Sequence, residues 1–122
     1  MPILIRYHGT NGDNILSIIS GHQMNPQRGR LFFAQNSPDS CFMHGADSKR
    51  KAAFVIKVEI TVPEQTKEER AITMDQIFAS ILKSDTPMKV KVLEMYVRKA
   101  GDSRLEKISG ESTIRSYLQN AR

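Results

Sequence analysis

The chain of 122 residues has no tryptophan, one cysteine and three histidines. With Cys41 alone, an internal disulfide and every zinc pattern built from several cysteines are excluded. His8, His22 and His44 show no helical i, i+4 pairing and no nearby carboxylate at ligand spacing, so no metal site is expected. No run approaches the roughly 20 apolar residues of a membrane helix, and no membrane partner is expected. Ile3 to Tyr7, directly behind Met1-Pro2, lacks the basic start, long apolar stretch and small-residue cleavage site of a signal peptide. Gly-x-Gly-x-x-Gly and the phosphate-loop motif are both missing, so any dinucleotide must bind without a Rossmann fingerprint.

What the chain does have is globular: 39% hydrophobic and 25% charged residues. That length and composition suit one domain, residues 1–122, able to bury a core without staples. The net charge of +5 is unevenly spread. Residues 1–51 carry 6 basic and 3 acidic groups, 52–88 carry 4 and 6, and 89–122 carry 8 and 4. Basic ends favour polyanionic partners such as RNA, DNA, a dinucleotide or an acidic protein without choosing among them.

Ile3 to Tyr7 is short, apolar and β-branched and reads as a strand entering the loop His8 to Asp13. Asp13 or Asn14 can cap a helix in which Ile15, Leu16, Ile18 and Ile19 form a stripe ending at Gly21. His22 to Arg30, with Pro26 and Gly29, reads as a loop, and Leu31 to Ala34 as a brief buried strand. Ser37-Pro38-Asp39 has the form of a helix start leading toward Gly45. Ala52 to Val62 alternates as a strand and stops at Pro63. Glu64 to Lys83 is acidic at its front and spaces Ile72, Ile77, Phe78, Ile81 and Leu82 as an amphipathic helix would. Lys89 to Lys99 and Arg104 to Ile108, joined at Ala100 to Ser103, predict a hairpin, and Ile114 with Leu118 predicts a terminal helix over Glu111 to Gln119. Strands and helices interleave without a regular βαβ period, so the fold class is α+β.

The first chemical constellation is His8-Gly9-Thr10, where a glycine admits a planar ligand close to the backbone and an imidazole can hydrogen-bond a sugar hydroxyl. A strand-to-helix turn with an exposed histidine reads the same residues equally well. A later acid, Glu94, sits inside the apolar segment Val92-Leu93-Glu94-Met95-Tyr96-Val97. Simple alternation gives it the face of Val90, Val92 and Tyr96, where a carboxylate is costly unless that face lines a polar cleft. The other reading is a solvent-facing acid paired with Lys91 or Arg98.

In order and spacing, His8-Gly9-Thr10, then a helix and loop, then Leu31-Phe32-Phe33-Ala34 resembles the poly(ADP-ribose) polymerase-like ADP-ribosyltransferases, small bacterial toxin domains included. The likeness covers at least residues 3 to 62. It implies split antiparallel sheets flanked by short helices, and NAD-dependent transfer of ADP-ribose to RNA or protein with release of nicotinamide. NAD is then a co-substrate. RNA is slightly favoured as acceptor by the basic ends. The resemblance also implies a toxin or effector with a cytoplasmic site of action, delivered within a larger secreted protein, and an inhibitory immunity protein as a further partner. His8 would hold a ribose hydroxyl, Gly9 the nicotinamide amide through its backbone, and Thr10 the loop. Phe32 stands at the family's tyrosine and lacks its hydroxyl. Phe42 would stack under the nicotinamide, and Ser37 or Ser40 would hold its carboxamide; Phe32, Phe33 and Phe42 also read as core residues, and Ser37 as a helix cap. Arg28 and Arg30 are candidates to clamp the diphosphate, or else are solvated surface cations. For the family's catalytic glutamate the choice is Glu94, with Glu111 in reserve and Glu59 third. NAD hydrolysis, an RNA phosphotransferase of the same fold and a non-enzymatic basic RNA- or protein-binding domain are the rival readings.

Overall fold

The structure is a computed structural model and describes residues 3–10, 12–26, 28–34, 52–72, 78–99 and 106–120. Its elements in chain order are β1 (Ile3–Thr10), α1 (Gly12–Gly21), β2 (Gln23–Met24), β3 (Arg30–Ala34), β4 (Ala52–Thr61), β5 (Lys67–Ile72), β6 (Phe78–Lys83), β7 (Met88–Lys99), β8 (Glu106–Ser109) and α2 (Glu111–Asn120). The strands run β2-β7-β4-β1-β3-β6-β5, every neighbouring pair is antiparallel, and β8 shares the outer edge of β7 with β2. The result is a small α+β fold of antiparallel sheet and, among the described residues, two helices. None of the helices is long and apolar enough to cross a membrane.

β4 is the axis of this sheet. It pairs with β1 on one side, from Thr61 opposite Ile3 to Phe54 opposite Thr10, and over its whole length with β7 on the other, from Ala52 opposite Lys99 to Thr61 opposite Lys89. Residues directly opposite one another share a face. Leu4, Arg6, His8 and Thr10 therefore share the face of Ile60, Val58, Ile56 and Phe54. That face carries the core: Ile56, Val58, Ile60, Met95 and Val97 pack with Ile15, Ile18 and Ile19 of α1 and with Ile114 and Leu118 of α2. The helices lie antiparallel, since a Cβ on Gly12 at the start of α1 would stand 3.3 Å from Leu118 near the end of α2, whereas His22 just past α1 meets Glu111 at the start of α2.

β1 meets β3 at the register pair Tyr7 and Ala34. From β1, Arg6 reaches across to β5, where its Nη2 lies 2.9 Å from Glu68 Oε1. Glu68 Oε1 also accepts hydrogen bonds from Arg70 Nε and Ser80 Oγ, each at 3.0 Å. Burial alone raises the pKa of this carboxyl, but the donors Arg6, Arg70 and Ser80 outweigh it and hold Glu68 below the ordinary carboxylate range.

This arrangement corrects the amphipathic helix expected over residues 64–83: the chain there forms β5 and β6, an antiparallel pair. The helical spacing of the apolar residues was misleading because β6 pairs with β3, setting Leu82 opposite Leu31 and Ser80 opposite Phe33, and tertiary pairing overrides local periodicity. The acidic front that suited a helix dipole instead supplies Glu68 to Arg6 and Glu69 to Lys83. Two smaller differences follow the same cause. His8-Gly9-Thr10 continues β1 because β4 offers Ile56, Val55 and Phe54 as partners, and the expected loop from His22 to Arg30 contributes β2 to the edge of β7. Asp13 and Asn14 fall within the first turn of α1 and not ahead of it. The expected strands at residues 31–34, 52–62 and 89–99, the β7–β8 hairpin and the terminal helix are all present, whereas the helix expected after Ser37 falls outside the described residues.

Two outcomes are expected in denaturation experiments. Ile56→Ala, at a position with no exposed surface, should lower stability by about 3 kcal/mol, and Ile3→Ala, 58% exposed, by less than about 0.5 kcal/mol. Because the Glu68 pKa is lowered on folding, its stabilisation is present above the unfolded carboxylate pKa and is lost as pH falls through the folded value. Glu68→Gln should therefore be less stable than the parent chain at pH 7, and the gap should narrow on acidification below about pH 4. A constant gap across that range would contradict the assignment.

Candidate functional site

A cavity of about 410 Å³ opens on the helix-bearing face, at the C-terminal end of β1. β1 contributes His8 and Thr10, α1 contributes Asn14, Ser17 and Ile18, and the β2–β3 segment contributes Gln23, Met24, Asn25, Arg30 and Leu31. This volume lies within the roughly 300–1,000 Å³ of small-molecule sites. Its lining follows from strand alternation: His8 and Thr10 lie two residues apart on one face of β1, and the helix that follows returns over that face.

His8 is half-buried, with its ring centroid 5.5 Å from that of the buried Phe33 at an interplanar angle of 56°. Thr10 is 9% exposed and its Oγ1 accepts a hydrogen bond of 3.0 Å from Asn14 Nδ2, which ties the end of β1 to the first turn of α1. Arg30, the exposed first residue of β3, is also at the cavity lining, and it lies opposite Lys83 with its charge acting on Glu69. The two residues before it, Arg28 at φ 55° and Gly29 at φ 74°, are both left-handed, which turns the chain sharply into β3. A Cβ on Gly29 would lie 3.1 Å from Oδ1 of the exposed Asp85, a side chain free to give way, so it is the conformation that calls for glycine there.

The structure thus gathers His8, Thr10 and Arg30 at one cavity, with Phe33 packed behind His8. Arg28 and Gly9 do not line it. Phe32 is described in its backbone alone, opposite Ile81, and Ser37, Ser40 and Phe42 lie outside the described residues. Asn14, Ser17, Gln23 and Asn25 are cavity residues that the sequence did not single out. The available signal was the i, i+3 spacing of Asn14 and Ser17 beside the buried Ile15 and Ile18, which puts two polar groups on the flank of an otherwise apolar helix.

The carboxylates behave differently. Lys57 of β4 faces Glu94 and the next residue, Val58, faces Val92, so Leu93 is an extra residue, a β-bulge, in β7. The bulge inverts alternation beyond it. Glu94 shares the face of Tyr7 and Lys57, and not the face of Val90 and Val92 on which unbroken alternation puts it. His8 is opposite Ile56, which is opposite Met95, so Glu94 and His8 project from opposite faces of the sheet. Glu94 is instead tied to its neighbours: Tyr96 Oη donates to its Oε2 at 2.5 Å, and Lys107 Nζ lies 4.0 Å from its Oε1. Burial, then the hydrogen bond to and charge of Glu94, keep the Tyr96 phenol protonated well above its ordinary range. Glu111, the first residue of α2, has its Oε2 3.0 Å from His22 Nε2 and does not line the cavity. Glu59 lies opposite Ile5 and Lys91 on the face away from the helices. Among the described residues, no carboxylate lines the cavity and no group of three or more metal-ligating side chains occurs.

Comparison with protein-family models, with curated proteins and with solved structures finds no match to this chain. The cavity's own geometry makes one local claim. Thr10→Val should leave the Asn14 amide without this acceptor and lower stability by about 1 kcal/mol in urea unfolding, with Asn14→Ala costing a similar amount and the double substitution less than the sum of the two.

Proposed function

We propose that this protein transfers ADP-ribose from NAD to a macromolecular acceptor, RNA in preference to protein, and releases nicotinamide. The observation that supports the reading is the meeting of His8, Thr10 and Arg30, from two strands separated by a helix, at the lining of one cavity of about 410 Å³. A cavity of that size suits the nicotinamide and its ribose, with the rest of the dinucleotide lying along the surface. The His8 imidazole hydrogen-bonds a ribose hydroxyl, the exposed Arg30 supplies positive charge near the diphosphate, and Asn14 and Ser17 offer an amide and a hydroxyl to the carboxamide or sugar. Binding in this bent form strains the glycosidic bond, which breaks as positive charge grows on the ribose.

Neither Glu94 nor Glu111 lines this cavity: Glu94 projects from the opposite face of the sheet, and Glu111 is hydrogen-bonded to His22. Among the described residues no carboxylate lines the cavity, which favours a phosphate as the nucleophile, the RNA phosphotransferase reading of the same fold. A phosphate oxygen is already ionised at neutral pH and needs no general base, its negative charge opposes the charge growing on the ribose, and Arg30 attracts it. In both readings the first bond broken joins nicotinamide to ribose.

The test is incubation with NAD labelled in the adenylate, beside RNA with and without terminal or internal phosphates, and beside protein. Label should move to RNA as nicotinamide appears. His8→Ala should lower the rate about tenfold and Arg30→Ala about tenfold to hundredfold, as expected for a neutral and a charge-assisted hydrogen bond. Glu94→Gln should leave nicotinamide release within about twofold of the parent, since the sheet separates it from the cavity. Release without transfer would select NAD hydrolysis, and absence of nicotinamide release would sink the enzymatic reading.

A further inference from the structure

We infer that the face of the sheet turned away from the helices, formed by β1, β4, β7 and β8, docks single-stranded RNA on a pair of tyrosines framed by lysines. For catalysis this inference rests on the RNA-acceptor reading; as a binding surface it is independent of it. The registers that turn Glu94 away from His8 build this second surface. Tyr7 lies opposite Lys57, Lys57 opposite Glu94, and Tyr96 opposite Lys107, so the four strands bring these groups to one face. Lys89 and Lys91 alternate onto the same face of β7 ahead of the bulge, and both are exposed.

At the centre, the rings of Tyr7 and Tyr96 stand 6.1 Å apart at 54°. Tyr96 is held by its hydrogen bond to Glu94, so its ring is set in place before any ligand arrives. Fixed aromatic rings with cations on either side are what unpaired bases and their phosphates require, since bases stack on the rings and the backbone follows the charge. Four lysines, Lys57, Lys89, Lys91 and Lys107, outnumber the two acids of this face, Glu59 and Glu94, which lie opposite Lys91 and beside Lys107 respectively. A duplex buries its bases and an acidic peptide has no bases, so either would use the lysines and leave the rings idle.

Binding of a fluorescent oligouridylate of about 12 nucleotides to the whole chain, measured by anisotropy over a range of salt, tests the surface. Lys89→Ala with Lys91→Ala should reduce the slope of log affinity against log salt by about 1.4, the single-strand value for two phosphates. Tyr7→Leu keeps apolar bulk, removes the aromatic ring, and should weaken binding about fivefold or more with little change in slope. Lys67→Ala with Arg115→Ala removes two exposed cations from β5 and α2 and should do much less. Equal losses from the two double variants would mean that net charge alone attracts RNA, and would overturn the proposal. Tighter binding of duplex RNA or polyglutamate than of the oligouridylate would overturn it too. If the RNA results stand while NAD yields no nicotinamide, the docking surface is supported and the catalytic reading alone falls.

Discussion

The two faces of this protein are set by the pairing of β4 with β1 on one side and β7 on the other. Successive side chains on a strand point in opposite directions, so each direct pairing assigns a residue to one face and its neighbour to the other. Ile56, Val58 and Ile60 take the inner side with no exposed surface and give α1 and α2 an apolar floor. His8, opposite Ile56, is carried to that side at the end of the strand, where α1 does not fully cover it. The cavity is therefore a place where the core stops and polar groups from α1 and the β2–β3 segment begin.

Two local departures shape the rest. The extra residue at Leu93 reverses the direction of everything beyond it in β7, which keeps Met95 and Val97 in the core and turns Glu94 and Tyr96 outward toward Tyr7 and Lys107. Without it, a carboxylate would face the apolar side opposite α1 and α2, at a cost of several kcal/mol unless neutralised. At the other end of the sheet, Glu68 gathers Arg6, Arg70 and Ser80 on one oxygen and holds the β3-β6-β5 portion against β1. A half-buried pair of this kind gains only modest net attraction, and its breakage would leave a partly desolvated carboxylate short of donors.

Strong local signals made several parts of the fold legible in the sequence. β4 alternates cleanly over its length and is closed by Pro63, α1 and α2 each show apolar residues at i, i+3 or i, i+4, and the β7–β8 hairpin follows from two β-rich runs about a short polar turn. The region from Glu64 to Lys83 was illegible for the opposite reason. Its apolar residues fit a helical period by coincidence, and the partner that makes β6 a strand, β3, lies more than forty residues earlier in the chain. His8, Thr10 and Arg30 could be chosen as a group, but Glu94 could not be placed, because a bulge is defined by the count of residues on two strands at once.

By itself, then, the sequence determined an α+β chain with a strand leading into His8-Gly9-Thr10, a helix after it, and one cysteine that rules out an internal disulfide. These are properties of neighbouring residues. Only the tertiary structure decided that His8, Thr10 and Arg30 share a cavity with Asn14, Ser17, Gln23 and Asn25, and that Glu94 belongs to the other face. Which groups meet across a sheet depends on register between distant segments, and a shift of one residue exchanges its two faces.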